Sequence, residues 1–145
     1  MNLLAEIECY QAQVGVIGLG YVGLPLAVVA AQAGYQVVGI DVSARAVEAV
    51  NAGRSHIGDV RDEEVAALVR AGRLRATEDY AVLRDCDVII ICVPTPLDRN
   101  RQPDISYILA AGRGIAAHMR PGQLISLEST TYPCLLYTSP SPRDS

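Results

Sequence analysis

The fold of this chain is decided by the stretch Val14-Gly15-Val16-Ile17-Gly18-Leu19-Gly20-Tyr21-Val22-Gly23. An apolar run ends in glycines at 18, 20 and 23, and a stretch compatible with a helix follows. The pattern G-x-G-x-x-G in this setting is typical of a turn that binds a dinucleotide. Gly18 permits a tight turn, Gly20 lets a pyrophosphate approach the backbone, and Gly23 lets the helix pack closely on the strand. The alternative is an ordinary glycine-rich turn.

The end of the next apolar run supplies a second part of the same pattern. The segment from Tyr35 to Asp41 is typical of a short strand, and Asp41 follows Gly18 by 23 positions. A carboxylate near this spacing accepts hydrogen bonds from ribose hydroxyls and repels a 2′-phosphate. The sequence therefore predicts NAD rather than NADP as the cofactor. Arg45 lies nearby and would weaken that preference, and a helix-capping or turn role for Asp41 is the alternative.

The composition limits the partners of the chain. The net charge is −4 and the isoelectric point is about 5.1, so we expect neither a nucleic acid nor an anionic membrane as a partner. Half of the 145 residues are hydrophobic and 19% are charged, which fits one globular α/β domain. Apart from histidine, every basic residue is arginine, which excludes lysine-based catalysis within this stretch.

The cysteines and histidines form no pattern typical of a metal site. No C-x-x-C spacing and no His-Cys cluster occurs among Cys9, Cys86, Cys92 and Cys134. We expect these cysteines to be incidental free thiols in a reducing cytosol. The N-terminus lacks the regions of a signal peptide and no apolar run is long enough to span a bilayer, so a cytoplasmic location is expected. His56, in a predicted loop, is interpreted as a solvated side chain rather than a ligand.

Strand-like and helix-like patterns alternate along the chain. Strands are predicted at 14–17, 37–40, 74–76, 87–93 and 123–127. Helices are predicted at 22–33, 44–51, 62–71 and 104–119, with a short helix or turn at 77–83. Ser43 and Asp104 are expected to cap helices, whereas Gly34 and Gly72 are expected to end them. This alternation predicts a Rossmann-like α/β fold, with a doubly wound parallel sheet.

Two loops follow predicted strands at the edge of the sheet where ligands bind. In an open parallel sheet that edge is the one formed by the carboxyl ends of the strands. Pro94-Thr95-Pro96 follows one strand, and Thr130 lies in the loop after another. The hydroxyl of Thr95 can reach a dinucleotide from this position. A rigid proline turn with a capping threonine is an equally weighted alternative.

Six motifs resemble the UDP-glucose/GDP-mannose dehydrogenase family in order and spacing. They are GVIGLGYVGLPLA (15–27), VVGIDV (37–42), AGRLRAT (71–77), DVIIICVPTPL (87–97), PDISY (103–107) and PGQLISLESTTYP (121–133). The resemblance covers residues 14–133. The forms VPTPL and PGQLISLESTTYP are most similar to the branch of the family that oxidises UDP-N-acetylhexosamines, and the branch that oxidises UDP-glucose is the alternative.

The resemblance implies an NAD-dependent enzyme that oxidises the C6 alcohol of a UDP-sugar to a carboxylate. In that family a cysteine holds the substrate as a thiohemiacetal and then as a thioester, which divides the oxidation into two steps. The parent enzyme is implied to be a homo-oligomer. By position, the residues implied to line the pyrophosphate are Gly18, Gly20, Tyr21, Val22 and Gly23. Asp41 would bind the adenosine ribose with Arg45 close by, Thr95 and Thr130 would contact the nicotinamide half, and Thr130 would position the catalytic water.

The resemblance ends after Pro133. The family continues there with a glycine and a helix, whereas residues 134–145 read CLLYTSPSPRDS, a composition typical of disorder. The predicted segments are a leader (1–13), an NAD-binding domain truncated before its last strand (14–133), and a tail typical of adapter or vector sequence (134–145). The family's catalytic cysteine, lysine and asparagine lie farther downstream, so the chain by itself is expected to be inactive. Cys134 is interpreted as an accident of the junction.

Two other classes of protein share part of this pattern. A free-standing NAD-sensing module needs the glycines and the acidic residue, but it does not need VPTPL or ESTTYP at the edge of the sheet. A β-hydroxyacid dehydrogenase shares a glycine fingerprint and a late loop at that edge. The two edge motifs therefore favour a nucleotide-sugar dehydrogenase over the free-standing module, and a substrate screen of a completed protein would separate it from the β-hydroxyacid enzymes.

Overall fold

Five parallel strands form the centre of the computed structural model, which describes residues 12–58, 60–93, 99–101 and 105–128. The strands are β1 (Gln13–Ile17), β2 (Gln36–Ile40), β3 (Leu74–Thr77), β4 (Val88–Ile91) and β5 (Leu124–Leu127). They lie in the order β3-β2-β1-β4-β5, and each neighbouring pair is parallel. The strand order changes direction between β1 and β4, which is where open α/β sheets bind their ligands. The predicted doubly wound parallel sheet is confirmed.

The described helices cover both faces of this sheet. They are α1 (Gly23–Ala33), α2 (Ala44–Asn51), α3 (Asp62–Arg70), a 3₁₀ helix (Tyr80–Asp85) and α4 (Ser106–His118). Helices α1, α2 and α3 pack on one face, and the 3₁₀ helix and α4 pack on the other. A parallel sheet needs such cover because its strands are apolar on both sides. None of these described helices is both long and apolar enough to cross a bilayer.

Each face of the sheet carries its own hydrophobic cluster. Val16 of β1 packs with Leu24 of α1 on one face, and both are fully buried. The next residue, Ile17, points to the opposite face, where it belongs to a cluster with Ile89 of β4 and Ile115 of α4. Successive side chains of a strand alternate between faces, so the apolar run of β1 supplies both clusters. This burial holds the carboxyl end of β1, and the turn that follows it, in place.

Short-range signals set most of the helix ends. The Oγ atom of Ser43 accepts a hydrogen bond from the N–H of Ala46 at 3.2 Å and caps α2, as predicted. Gly34 ends α1 with a φ of 118°, a left-handed conformation that glycine adopts without strain. Helix α4 begins at Ser106 with Ile105 in the N-cap position, which differs from the predicted cap at Asp104. Asp104 itself lies outside the described residues.

Two other boundaries differ from the prediction for local reasons. The short helix or turn predicted at 77–83 is a 3₁₀ helix at 80–85, because the carboxylate of Asp79 accepts the N–H of Ala81 at 2.9 Å and caps it. Strand β1 begins at Gln13, one residue inside the predicted leader. Its N–H donates to the carboxylate of Asp87 at 2.9 Å, and its carbonyl accepts the N–H of Asp87 at 2.8 Å. Residues 1–11 of the predicted leader lie outside the described residues.

Strand β4 is shorter and less evenly covered than predicted. The predicted strand at 87–93 is β4, Val88–Ile91, in the structure. Ile89 and Ile91 are buried, whereas Val88 and Ile90 are half-buried. Ile89 and Ile91 point to the face covered by α4, but on the other face α1 contacts mainly β1 and β2. The prediction of burial on both faces therefore holds for only one side of β4 in the described part of the chain.

Candidate functional site

The glycine-rich turn joins the carboxyl end of β1 to the start of α1. Gly18 has a φ of 96°, and its N–H donates to the carbonyl of Ile40 at the end of β2 at 2.7 Å. A Cβ at position 18 would lie 2.6 Å from the carbonyl oxygen of Cys92, just after β4. A Cβ at Gly23 would lie only 1.6 Å from the carbonyl oxygen of Gly18. Glycine is therefore required at 18 by conformation and packing, and at 23 by the contact of the helix with the strand end.

Gly20 differs from the other two glycines of the turn. A Cβ at position 20 would meet no atom of the described residues within 4 Å, and its φ lies outside the left-handed region. Neither conformation nor internal packing therefore explains a glycine at this position. The open space beside Gly20 is available to a molecule that approaches the backbone.

The first turn of α1 is suited to bind an anion. Val22 occupies the N-cap position and supplies no side-chain hydrogen bond, and the first turn contains no acidic residue. In contrast, the first turn of α3 contains three acidic residues at 62–64. The N–H groups at the start of a helix carry a partial positive charge. At α1 neither a side-chain cap nor a carboxylate competes with an external anion for these groups. The N–H of Leu24 already donates to the carbonyl of Gly20 at 3.1 Å and Pro25 has no N–H, so an anion would be held by the N–H groups that precede Leu24.

Asp41 lies directly after β2, beside the glycine-rich turn. One oxygen of its half-buried carboxylate accepts the N–H of Leu19 at 2.8 Å, and the other accepts the N–H of Ser43 at 2.9 Å. A carboxylate has about four acceptor positions, so these two contacts within the described residues leave two for other donors. The alternative role of Asp41 as a turn residue is thus observed, and it leaves room for the predicted contact with two ribose hydroxyls.

Arg45 lies on the exposed side of α2, close to Asp41 along the chain. It lines a groove of about 330 Å³ together with Ser43, Arg54 and His56. Ser43 connects this groove to Asp41 through the hydrogen bond of its N–H. The groove contains two arginines, Arg45 and Arg54, and one carboxylate, Glu48. The effect of Arg45 on the preference for NAD stays a prediction.

His56 is an exposed loop side chain, as the sequence predicted, but it also makes a contact with the glycine-rich turn. Its Nε2 atom donates a hydrogen bond to the carbonyl oxygen of Leu19 in the glycine-rich turn, since a carbonyl oxygen can only accept. The side chain is exposed, yet it joins two segments that are 37 positions apart. No motif in the sequence signals this contact, because a single loop histidine has no spacing rule that ties it to a distant turn.

Tyr80 is a second neighbour of the site that the sequence did not reveal. Burial raises the pKa of its hydroxyl, and the nearby carboxylate of Asp41 raises this pKa further. Its ring packs on α4 so closely that a Cβ at Gly114 would lie 2.3 Å from the ring. The 3₁₀ helix thus brings an aromatic side chain to the Asp41 side of the sheet edge.

The described thiols are poorly suited to nucleophilic chemistry. Burial raises the pKa of Cys86 to about 11, with the carboxylates of Asp85 and Asp87 as smaller causes. Burial also raises the pKa of Cys92 to about 11, with the carboxylate of Glu128 as a smaller cause. Both thiols are therefore protonated at neutral pH, whereas the reactive form of a cysteine is the thiolate. Among the residues that the structure describes, no three His, Cys, Asp or Glu side chains are grouped in a way that could hold a metal ion.

Several predicted site residues lie beyond the described part of the chain. The structure gives no description of residues 94–98 and 129–145. These ranges contain Thr95, Thr130 and Cys134. The strands that lead to both threonines, β4 and β5, are neighbours in the sheet and end at the same edge. Of the predicted site residues that the structure describes, Asp41 contacts the glycine-rich turn through Leu19, and Arg45 lines the neighbouring groove.

The chain is similar to nucleotide-sugar dehydrogenases along most of its length. Residues 12–136 match the model of the UDP-glucose/GDP-mannose dehydrogenase family, NAD binding domain. NDP-N-acetyl-D-galactosaminuronic acid dehydrogenase of Ralstonia nicotianae is 45% identical over 119 residues, which are 81% of this chain and 27% of that protein. The chain thus spans between a quarter and a third of the length of such relatives.

Solved structures show the same relationship. The UDP-D-ManNAc dehydrogenase of Pyrococcus horikoshii is 38% identical with a TM-score of 0.77, over 83% of this chain and 29% of that one. A ternary complex of GDP-mannose dehydrogenase from Pseudomonas aeruginosa is 31% identical with a TM-score of 0.78, over 86% of this chain and 30% of that one. The glycine-rich turn and Asp41 lie within the matched family domain. This chain therefore belongs to the UDP-glucose/GDP-mannose dehydrogenase family and contains its NAD-binding domain.

Proposed function

We propose that residues 14–133 bind NAD for an enzyme that oxidises the C6 alcohol of a UDP-sugar to a carboxylate. The observation that carries this proposal is the open space beside Gly20, at the uncapped start of α1. A pyrophosphate placed there would reach the backbone without meeting a side chain and would accept hydrogen bonds from the first turn of the helix. NAD would supply the hydride acceptor, and the residues of this chain bind and orient it.

Each proposed contact follows from the position of a residue around the turn. The turn residues Gly18 and Gly23 shape the loop, while Gly20 with the exposed Tyr21 and Val22 would face the pyrophosphate. Asp41 would accept both hydroxyls of the adenosine ribose with the two acceptor positions that the backbone leaves open. The proposal also includes Arg45 near the ribose, and Thr95 and Thr130 near the nicotinamide, with Thr130 as the residue that positions the catalytic water.

The proposed substrate class is a UDP-N-acetylhexosamine. The similar proteins named above include dehydrogenases of an N-acetylgalactosamine and an N-acetylmannosamine derivative. From the forms of its edge motifs, the enzyme is proposed to act on UDP-N-acetyl-D-glucosamine, as a 6-dehydrogenase whose uronic acid product enters polysaccharide biosynthesis. A homo-oligomeric parent enzyme and a cytoplasmic location complete the proposal, and the free thiols Cys86 and Cys92 are consistent with a reducing compartment.

A free-standing NAD-binding module is the second candidate. The described part of the site favours it in one respect, because it contains groups that bind a cofactor and both of its described thiols are buried and protonated. UDP-glucose is the alternative substrate if the protein is an enzyme. These candidates agree about NAD and differ in whether a UDP-sugar is turned over.

Two measurements separate these candidates. Calorimetric titration of the 145-residue chain with NAD and with NADP is expected to show binding that favours NAD, and a chain that binds neither would contradict the proposal. Residues 14–133 can then be joined to the remaining domains of a similar UDP-N-acetyl-D-mannosamine dehydrogenase and assayed with a panel of UDP-sugars. NADH formation by this chimera supports the proposed enzyme, and NAD binding without turnover favours the module. The donor domains would determine which sugar the chimera accepts, so the alternative substrate UDP-glucose is tested with the full-length parent enzyme.

A further inference from the structure

The two peptide groups that flank Leu19 are held by two different side chains. The N–H of Leu19 donates to the carboxylate of Asp41 at 2.8 Å, and the carbonyl oxygen of Leu19 accepts a hydrogen bond from Nε2 of His56. The side chain of Leu19 is fully buried and lies against Gly39, where a Cβ would be 2.5 Å from it. Leu19 is thus fixed at its side chain, its N–H and its carbonyl.

The contact with His56 determines the direction of the next N–H group. The carbonyl of Leu19 and the N–H of Gly20 belong to one planar trans peptide, in which the two bonds point in opposite directions. With the carbonyl held towards His56, the N–H of Gly20 points away from His56. A flip of this peptide would exchange the two groups and turn a carbonyl oxygen towards the side now occupied by an N–H.

A glycine at position 20 makes such a flip easier. Glycine has no Cβ and populates conformations that other residues avoid, and the space around Gly20 is open. The same absence of a side chain that lets a phosphate approach therefore leaves this peptide without steric restraint. Among the described residues, the hydrogen bond from Nε2 of His56 to the Leu19 carbonyl restrains this peptide.

We propose that His56 is a positioning residue for NAD, which holds the Leu19–Gly20 peptide with its N–H directed towards the pyrophosphate. This inference rests on the proposed NAD site. The histidine does not touch the cofactor; it prevents the carbonyl oxygen from facing the negatively charged phosphates. Both the neutral Nε2–H tautomer and the imidazolium donate from Nε2, so either form holds the peptide.

The test uses substitutions that differ in the position of one nitrogen. The amide nitrogen of glutamine is three bonds from Cβ, as Nε2 of histidine is, whereas that of asparagine is only two bonds from Cβ. His56→Gln is therefore expected to keep the hydrogen bond, and His56→Asn and His56→Ala are expected to lose it. His118 is the only other histidine of the chain and lies at the end of α4 that is remote from the turn, so His118→Asn is the matched control.

The measurements are NAD affinity by calorimetry and the melting temperature of each variant of the 145-residue chain. We expect His56→Asn and His56→Ala to bind NAD roughly 5- to 10-fold more weakly, the effect of one lost hydrogen bond, with melting temperatures lowered by no more than a few degrees. His56→Gln and His118→Asn are expected to bind as the unsubstituted chain does. Equal affinity of all four variants, or equal losses for His56→Gln and His56→Asn, would overturn the inference.

A second readout follows the peptide itself without NAD. In nuclear magnetic resonance spectra, the amide of Gly20 is expected to show exchange broadening in His56→Asn and a sharp signal in His56→Gln. Identical Gly20 signals in the two variants would also overturn the inference. If the unsubstituted chain binds no NAD, the proposed function fails, whereas normal binding that is insensitive to His56 refutes only the role of the histidine.

Discussion

The carboxylate of Asp41 accepts the backbone N–H of Leu19 at 2.8 Å, across the carboxyl ends of β2 and β1. At the opposite edge of the sheet, the carboxylate of Asp87 accepts the N–H of Gln13 at 2.9 Å. Strand β1 is thus held at each end by an aspartate from a neighbouring strand connection. Only Asp41 lies beside the glycine-rich turn. Substitution of Asp41 is therefore expected to affect cofactor binding, whereas substitution of Asp87 is expected to affect only stability.

Asp41→Asn is expected to weaken NAD binding roughly 10- to 100-fold. The asparagine has no charge and a single acceptor oxygen, so it cannot hold the backbone N–H groups and two ribose hydroxyls together, and a hydrogen bond to a charged group contributes about 1.5–3 kcal/mol. The preference for NAD over NADP is expected to fall as well, because the repulsion of the 2′-phosphate is removed. Titration with both dinucleotides measures these two effects.

Asp87→Asn is the matched control for Asp41→Asn. It weakens a hydrogen bond to β1 and the contact with Arg120 at the far edge of the sheet, so it should lower the melting temperature without changing the affinity for NAD. An Asp41→Asn variant that binds NAD as tightly as Asp87→Asn does would remove Asp41 from the proposed ribose site.

Gly20→Ala is expected to weaken NAD binding without loss of stability, whereas Gly23→Ala is expected to lower stability. The added methyl at position 20 meets no described protein atom, so the variant should unfold normally and bind NAD at least about 10-fold more weakly, a difference of 1.4 kcal/mol or more. The methyl at position 23 would overlap the carbonyl oxygen of Gly18, and this variant should lose more than about 2 kcal/mol of unfolding free energy. Urea unfolding and NAD titration of both variants give the two values.

Gly112→Ala controls for the general effect of removing a glycine. Gly112 lies in α4, and a Cβ there would also meet nothing within 4 Å among the described residues. This substitution should leave NAD binding unchanged and stabilise the helix by up to about 1 kcal/mol. Normal NAD binding by Gly20→Ala would place the pyrophosphate elsewhere.

The sequence predicted the parts of the fold that depend on neighbouring residues. The cap at Ser43, the left-handed end at Gly34 and the order of strands and helices follow from local spacing and periodicity, and the structure confirms them. The predicted cap of α4 was Asp104, whereas the helix begins at Ser106 with Ile105 as its N-cap. Asp104 has a side chain that can cap a helix, but side-chain chemistry alone does not tell which residue leaves the helical conformation. Cap preference is a statistical tendency that the surrounding chain can override.

The candidate site was predictable only where its residues form a motif. The glycines at 18, 20 and 23 and Asp41 have a fixed spacing, because one turn and one strand set the distance between them. His56 comes from a loop and Tyr80 from the 3₁₀ helix, and the contact of His56 with Leu19 and the effect of Asp41 on the pKa of Tyr80 depend on how those segments pack. Such contacts between distant segments have no period or spacing in the sequence from which they could be predicted.

The stability of the chain is expected to fall in alkaline solution because of Cys86 and Cys92. Burial raises the pKa of each thiol from the ordinary value of 9.0 to about 11, so the folded protein binds these protons more tightly than the unfolded chain does. The resulting stability is fully present below pH 9 and is lost as the pH rises towards about 11. Urea unfolding midpoints measured from pH 7 to pH 10.5 check this expectation.

The double variant Cys86→Ala/Cys92→Ala tests whether the thiols cause the alkaline loss. It should be less stable at pH 7, because both side chains are buried, but its unfolding midpoint should change less between pH 8 and pH 10. The raised pKa of Tyr80 acts in the same direction at higher pH and remains in both proteins. An equally steep alkaline loss in the double variant would show that other groups are responsible.

The guanidinium group of Arg120 binds several groups near the amino end of β4. Its Nε atom donates to the carbonyl of Arg84 at 2.8 Å, and its Nη2 atom donates to the carbonyl of Cys86 at 3.2 Å and to the carboxylate of Asp87 at 3.0 Å. The guanidinium thus ties the turn after α4 to the end of the 3₁₀ helix and the start of β4. Arg61, in contrast, makes a surface ion pair with Glu64 at 3.5 Å within one helical turn.

Arg120→Ala is expected to lower the free energy of unfolding by about 1–3 kcal/mol, because the substitution leaves two backbone carbonyls and a carboxylate without this donor. Arg120→Lys should recover only part of the loss, since an ammonium group cannot reproduce the fixed directions of the guanidinium donors. Arg61→Ala removes the same charge and should change stability by less than about 0.5 kcal/mol. Urea unfolding of the three variants measures these differences, and equal effects of Arg120→Ala and Arg61→Ala would show that the loss of positive charge, rather than the contacts of the guanidinium, sets the stability.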